Sequence, residues 1–130
     1  MLKLRHRIIS SLLFIILDII WLKTYMSPRY TLLIEKIQKQ KLVLNIKSAI
    51  CAYILMLIGL NIFVLPQLDI NNITINKCLL TGFLFGIIVY GVYDFTCGSI
   101  FTDWDFNLAY IDILWGGFVY FISCYILKFI

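Results

Sequence analysis

Four apolar stretches dominate this chain of 130 residues and limit what it can fold into. A helix needs about 20 residues to cross the bilayer core of about 30 Å. The stretches meet that requirement or nearly so, and they cover residues 8–26, 48–65, 78–97 and 106–127. We therefore predict an all-α integral membrane protein, with a bundle of four transmembrane helices in a single domain over residues 1–130.

The composition argues against the soluble classes of protein. Hydrophobic residues make up 62% of the chain and charged residues 14%, whereas soluble domains contain about 45–50% and about 25%. A short chain cannot bury so much apolar surface in water, because small domains bury a smaller share of their surface. A soluble enzyme, a nucleic-acid-binding module and a disordered protein do not fit, and the lipid bilayer is the first expected partner.

The net charge of +4 comes from basic residues that lie mostly at the flanks of the spans. There the positive-inside rule and anionic lipid headgroups account for them, so we expect no nucleic-acid partner. The amino terminus, the second loop and the carboxyl terminus carry three, one and one Lys or Arg. The opposite face carries six, five of them in the first loop and Lys23 near the end of the first span, and none in the third loop. This small difference favours a cytoplasmic first loop.

The first loop, residues 27–47, has a pattern of its own. Tyr30, Leu33, Ile37 and Leu44 fall on one helical stripe, and the lysines lie largely elsewhere. This amphipathic pattern predicts a short interfacial helix on the membrane surface. A helical extension of the second span into water is the alternative.

Three aspartates interrupt the apolar spans: Asp18 in the first, Asp94 in the third and Asp112 in the fourth. Charged groups inside a bilayer are costly and rare, and they mark functional sites by default. The chain direction puts the end of the first span, the end of the third and the start of the fourth on one side of the membrane. At 1.5 Å per residue, all three acids should lie roughly 6–12 Å below that surface, in one leaflet.

Neighbouring side chains extend the three acids into a predicted pocket. Several tryptophans and tyrosines could supply its walls and hydroxyls: Trp21, Trp104, Trp115, Tyr53, Tyr90, Tyr93 and Tyr110. The residues assigned to the pocket beside the acids are Trp21, Tyr90, Tyr93, Thr96 and Trp115. We expect this intramembrane pocket to bind a proton, a cation or a small ligand, with transport as one use of the site. In addition, Gly82, Gly86 and Gly116 predict close helix packing, because small residues let transmembrane helices approach each other.

Two other functions stay open. The acids could serve only to join the helices through hydrogen bonds, in a structural component of a cellular or viral membrane. An enzyme is the least favoured hypothesis, since no nucleophile, metal motif or buried histidine accompanies the acids, so no catalytic residue is assigned. The four cysteines show no metal-binding spacing, and we expect no metal and no cofactor. A second copy of the chain and other membrane proteins are considered as further partners.

Two short motifs in the chain match each other. Asp18-Ile-Ile-Trp21 and Asp112-Ile-Leu-Trp115 have the same spacing, but they lie in oppositely directed spans. A duplication of a two-helix unit would not place them in this way. We interpret the match as coincidence or convergent packing.

The motifs in combination resemble an uncharacterised family of small four-span membrane proteins of unknown function, found in bacteria and some large DNA viruses. The strongest part of the resemblance is the block Tyr90-Gly-Val-Tyr-Asp-Phe-Thr96, followed by Trp104 and Asp112-Ile-Leu-Trp-Gly116. The resemblance implies the four-span architecture and points to the same three acids, but it implies no activity. Where the family pattern has Asn after the Thr, this chain has Cys97, so any ligand of that Asn would be bound differently here or not at all.

Overall fold

The computed structural model describes all 130 residues and contains four long helices. They are α1 (Leu4–Gln38), α2 (Ile46–Gln67), α3 (Ile75–Ile100) and α4 (Phe106–Phe129). Each is long and apolar enough to cross a membrane, and the chain contains no strand. The predicted all-α architecture of four spans is confirmed, and each predicted span lies within one of these helices.

Polar side chains cap the amino-terminal ends of three of the four helices. Asn45, Thr74 and Asp105 each accept hydrogen bonds from backbone N–H groups two or three residues further on, at 2.9–3.3 Å. The first turn of a helix leaves such N–H groups without acceptors in the helix itself, and these caps satisfy them. The caps therefore fix where α2, α3 and α4 begin.

The first helix is longer than the sequence analysis predicts. Instead of stopping near residue 26, α1 continues without a break to Gln38 and is closed by Lys39 in a left-handed conformation, with φ of 57°. The segment after residue 26 is helical, but it extends the first span rather than the second. The first loop therefore shrinks to residues 39–45.

Pro28 explains why this continuation is hard to recognise. Proline has no backbone N–H and clashes with the preceding turn, so inside a helix it normally causes a kink or a break. Here the five residues Leu22–Met26 just before it form a π-helical turn, in which the N–H of Ser27 bonds to the carbonyl of Leu22. The wider turn accommodates the proline, and the helix goes on.

The last turns of α1 pack on protein. Tyr30, Leu33, Ile34 and Ile37 lie against a small apolar cluster at the turn between α3 and α4, which contains Cys97, Trp104 and Ala109. The 35 residues of α1 would extend about 52 Å at 1.5 Å per residue, well beyond a bilayer core of about 30 Å. Three residues of the amphipathic stripe, Tyr30, Leu33 and Ile37, therefore lie on the surface with which α1 covers the ends of α3 and α4. The fourth, Leu44, lies in the loop after α1 and is exposed.

Helices α3 and α4 approach each other through glycines. A Cβ atom at Gly86 would overlap the backbone of Gly116, and one at Gly82 would lie 2.8 Å from the backbone oxygen of Tyr120. A Cβ atom at Gly116 would overlap the ring of Tyr90. Because no side chain stands between them, the two backbones touch along this interface. All three glycines singled out for helix packing lie in it.

The apolar core lies towards the face of the bundle that carries both termini. Phe14, Leu60, Val64, Tyr120 and Cys124 are fully buried there. The first half of α2 differs, because none of the residues Ile46–Ile58 is buried. The first half of α2 is therefore not enclosed by the other helices of the bundle.

Candidate intramembrane acidic site

The three aspartates of the spans are buried and lie together. Their exposed fractions are 3% for Asp18, 0% for Asp94 and 5% for Asp112. Asp112 is near enough to both Asp94 and Asp18 for their charges to interact. We refer to Asp18, Asp94 and Asp112 as the acidic cluster.

Asp18 is the hydrogen-bond acceptor at which all four helices meet. The hydroxyl of Tyr53 on α2 donates to Oδ2 at 2.6 Å. The hydroxyl of Tyr90 on α3 and the indole N–H of Trp115 on α4 donate to Oδ1, at 2.8 and 2.9 Å. A carboxylate can accept on both oxygens, so one side chain of α1 binds the other three helices.

Asp94 and Asp112 form a different kind of site. The hydroxyl of Tyr30 donates to Oδ1 of Asp94 at 2.6 Å, whereas Oδ2 of Asp94 is buried without a hydrogen-bond partner. The polar group beside it is the carboxyl of Asp112, which can donate only when it carries a proton. Two ionised carboxylates at this position would repel each other. The pair therefore lacks one donor, which a single proton would supply.

The two Asp-x-x-Trp motifs pack on each other. Trp21 and Trp115 stack with ring centroids 4.6 Å apart and an interplanar angle of 6°. Trp115 donates to Asp18, and the indole N–H of Trp21 faces Asp112 without reaching standard hydrogen-bond geometry. Each tryptophan thus lies at the aspartate of the other motif, so the sequence match corresponds to a packing relationship between antiparallel helices.

Two aromatic side chains cover Asp94 on the side of the first and third loops. Tyr30 stacks on Trp104 with ring centroids 5.5 Å apart and an interplanar angle of 23°. Trp104 is 5% exposed, and its indole nitrogen has no acceptor. Because Tyr30 also donates to Asp94, the extension of α1 both covers the acidic cluster and binds it.

The structure brings Trp21, Tyr90 and Trp115 to the acidic cluster, whereas the other two pocket candidates form no hydrogen bond to an acid. Half of the Tyr93 side chain is exposed, and its ring packs edge-on against Trp104. Thr96 is exposed. At about 100° per residue, Thr96 lies about 200° around α3 from Asp94, on the opposite face of the helix.

One partner of the acids, Tyr30, was not selected by the sequence analysis as a pocket residue, because it belongs to the amphipathic stripe of the first loop. Tyr53, in a span without an acid, was among the residues considered for the walls and hydroxyls of the pocket, and it does bind Asp18. The signal at Tyr30 was the residue type itself. A buried tyrosine hydroxyl usually has a hydrogen-bond partner.

The hydrogen-bond donors of the acidic cluster are uncharged side chains. The donors to its carboxylates are tyrosine and tryptophan, and none is basic. No group of three or more His, Cys, Asp or Glu side chains is arranged to hold a metal ion. Two cavities lie elsewhere, one of about 560 Å³ beside residues 70–76 and one of about 310 Å³ between α1 and α2.

Four apolar helices around a buried acidic cluster define a small multi-pass integral membrane protein. The chain belongs to the family described as predicted membrane protein (DUF2177), whose model matches residues 5–127. The family resemblance inferred from the motifs is thereby confirmed, and the function of that family is unknown. No curated protein and no solved structure matches the chain significantly.

Proposed function

We propose that the acidic cluster is an intramembrane proton-binding site in which Asp94 and Asp112 share one proton. The observation that carries this proposal is the Oδ2 atom of Asp94, which is buried beside Asp112 without a donor. In a low-dielectric interior an unpaired charge and an unsatisfied polar atom are both costly. A proton on Asp112 would remove the charge repulsion and supply the missing hydrogen bond.

The residues around the pair have distinct roles in this proposal. Tyr30 holds Asp94 by its hydroxyl, and the N–H of Trp21 is available to Asp112 when the proton leaves. Both of these donors belong to α1, so gain and loss of the proton would change the contacts between α1 and the pair α3–α4. Intramembrane carboxyls mark proton relays in membrane pumps and transporters. We therefore infer proton transport as the process that the site serves.

Asp18 favours a second candidate function. Its three donors come from three helices and leave neither oxygen free, as expected of a group that joins the bundle. If Asp94 and Asp112 do the same, the protein is a structural component of a cellular or viral membrane. The two candidates differ in whether the acids exchange protons.

Proton flux into liposomes tests the transport proposal. Purified protein is reconstituted with an internal pH dye, and a potential is applied across the membrane. We expect flux above that of empty liposomes, lost in Asp94→Asn and Asp112→Asn while circular dichroism shows an intact helical fold. Asp103→Asn, an exposed acid outside the cluster, serves as the control and should keep the flux. Flux equal to that of empty liposomes would exclude proton transport and favour the structural role.

We also propose that the first loop faces the cytoplasm. The support is the number of Lys and Arg residues, six on the face of the first and third loops against five on the other face. A cysteine at position 40 (Gln40→Cys), in a chain without its own cysteines, should react with a membrane-impermeant maleimide only after the cells are opened. Asn71→Cys in the second loop should react in intact cells, and the reverse result would invert the topology.

A further inference from the structure

A wholly apolar groove runs between α1 and the first half of α2. It has a volume of about 310 Å³, and all nine residues that line it are hydrophobic. Ile15 and Ile19 of α1 line one side, and Ala49 and Ile50 of α2 line the other. Tyr53 is the one lining residue with a polar end, and its hydroxyl is turned to Asp18. The groove therefore offers no hydrogen bond to an occupant.

No helix of this chain fills the groove. Three isoleucines of α2 along it, Ile46, Ile50 and Ile54, keep 63%, 54% and 51% of their surface exposed. They lie in a segment that is apolar enough to span a membrane, where the surrounding medium is lipid chain. A narrow apolar groove open to lipid is suited to a flexible hydrocarbon chain.

The end of the groove at the first loop is basic. Leu44 and Ile46 form this end, and Lys39, Lys41 and Lys47 lie within five residues of Leu44, all exposed. The one acid of the same region is Glu35, which accepts a hydrogen bond from the backbone N–H of Leu42 at 2.9 Å, so three lysines stand against a single acid. An apolar groove that ends at exposed lysines complements an amphiphile with an anionic head.

We propose that this groove binds one acyl chain of an anionic membrane lipid, with the headgroup held by Lys39, Lys41 and Lys47. The acyl chain by itself gives the groove little preference for one lipid over another, because lipid tails are as apolar as the groove. Selectivity comes from the headgroup, at about fivefold in affinity for each lysine near the membrane surface. The inference does not depend on the proton site, since neither Asp94 nor Asp112 lines the groove.

Lipid retention by the purified protein tests this proposal. The protein in detergent is mixed with phosphatidylglycerol or phosphatidylcholine of identical chains, and bound lipid is counted by native mass spectrometry. We expect phosphatidylglycerol to bind at least tenfold more tightly. Lys41→Gln combined with Lys47→Gln should weaken the binding of phosphatidylglycerol by about 25-fold and leave the binding of phosphatidylcholine unchanged. Lys77→Gln, on the opposite face, should change the affinity for neither lipid.

A second pair of variants tests the groove itself. Ala49→Phe places a ring in the groove and should abolish retention of the lipid, while Ala52→Phe, on the same helix but outside the lining residues, should retain it. Equal retention of the two lipids, or equal retention by the two alanine variants, would overturn the proposal. If Ala49→Phe instead converts a dimer into a monomer without affecting lipid, the groove is occupied by a second copy of the chain and the proposal is wrong.

Discussion

The indole ring of Trp21 stacks on the indole ring of Trp115, 4.6 Å away and nearly parallel to it. The two residues occupy the same position in two Asp-x-x-Trp motifs on antiparallel helices. Only one of the two indole N–H groups completes its hydrogen bond to the opposite aspartate, from Trp115 to Asp18 at 2.9 Å. The two tryptophans are therefore equivalent in the sequence pattern, but only Trp115 forms a hydrogen bond to the aspartate of the other motif. This difference can be tested.

Trp115→Phe should lower the free energy of unfolding more than Trp21→Phe. Both changes keep an aromatic ring in the stack, but only Trp115→Phe removes a well-formed hydrogen bond. Such bonds contribute about 0.6 kcal/mol on average in membrane proteins and at most about 1.7 kcal/mol, so we expect a difference of about 1 kcal/mol. Unfolding by SDS in mixed micelles measures it. An equal or reversed order would contradict the assigned bonding.

Gly86→Ala should separate α3 from α4. The new methyl group would meet backbone atoms of Gly116, which cannot rotate away as a side chain can. Overpacking of this kind costs about 1–3 kcal/mol. The matched control is Gly91→Ala on the same helix, where the nearest atom is a methyl group of Ile113 at 4.0 Å. That change should be neutral or stabilise the helix by up to about 1 kcal/mol. Thermal unfolding of the two variants measures the difference in stability.

Tyr30→Phe should loosen the extension of α1. The change keeps the stack on Trp104 and removes the hydroxyl that donates to Asp94 at 2.6 Å. We expect faster amide hydrogen exchange over residues 27–38, because these turns are held by few other polar contacts. Tyr25→Phe is the control, since Tyr25 stacks on Trp21 through its ring. Unchanged exchange in Tyr30→Phe would show that the hydroxyl does not hold this segment.

Asp18→Asn should destabilise the protein more than Asp94→Asn. At Asp18 an amide N–H₂ would face donors, leaving a buried polar group unsatisfied at a cost of about 1–3 kcal/mol. At Asp94 the same N–H₂ can donate to the carboxylate of Asp112 in place of the shared proton. Unfolding at neutral pH compares the two variants, and an equal loss at both positions would favour a purely helix-joining role for the pair.

The proximity of Asp18, Asp94 and Asp112 could be predicted from the sequence. Span length and hydropathy define four helices, and their alternating direction determines which ends meet on each side of the membrane. Small residues at regular spacing likewise predict a close helix contact, and Gly86 lies against Gly116 as that pattern indicates.

The partners of the acids were harder to predict. An apolar stripe that contains Tyr30 is equally suited to a membrane surface and to a protein surface, and its partner Trp104 lies far along the chain. Tyr93 lies on one helical stripe with Tyr90, with Asp94 at its edge, but this spacing does not show whether the side chain hydrogen-bonds to the acid. The π-helical turn that carries α1 past Pro28 leaves no comparable signal in the sequence.

Infrared spectroscopy of the purified protein tests the shared proton most directly, because a protonated carboxyl has a C=O stretching band that a carboxylate lacks. We predict this band at neutral pH in the wild-type protein and in the control Asp103→Asn. The band should disappear in Asp94→Asn and in Asp112→Asn. A wild-type spectrum without a protonated carboxyl at neutral pH would contradict the proton-binding site.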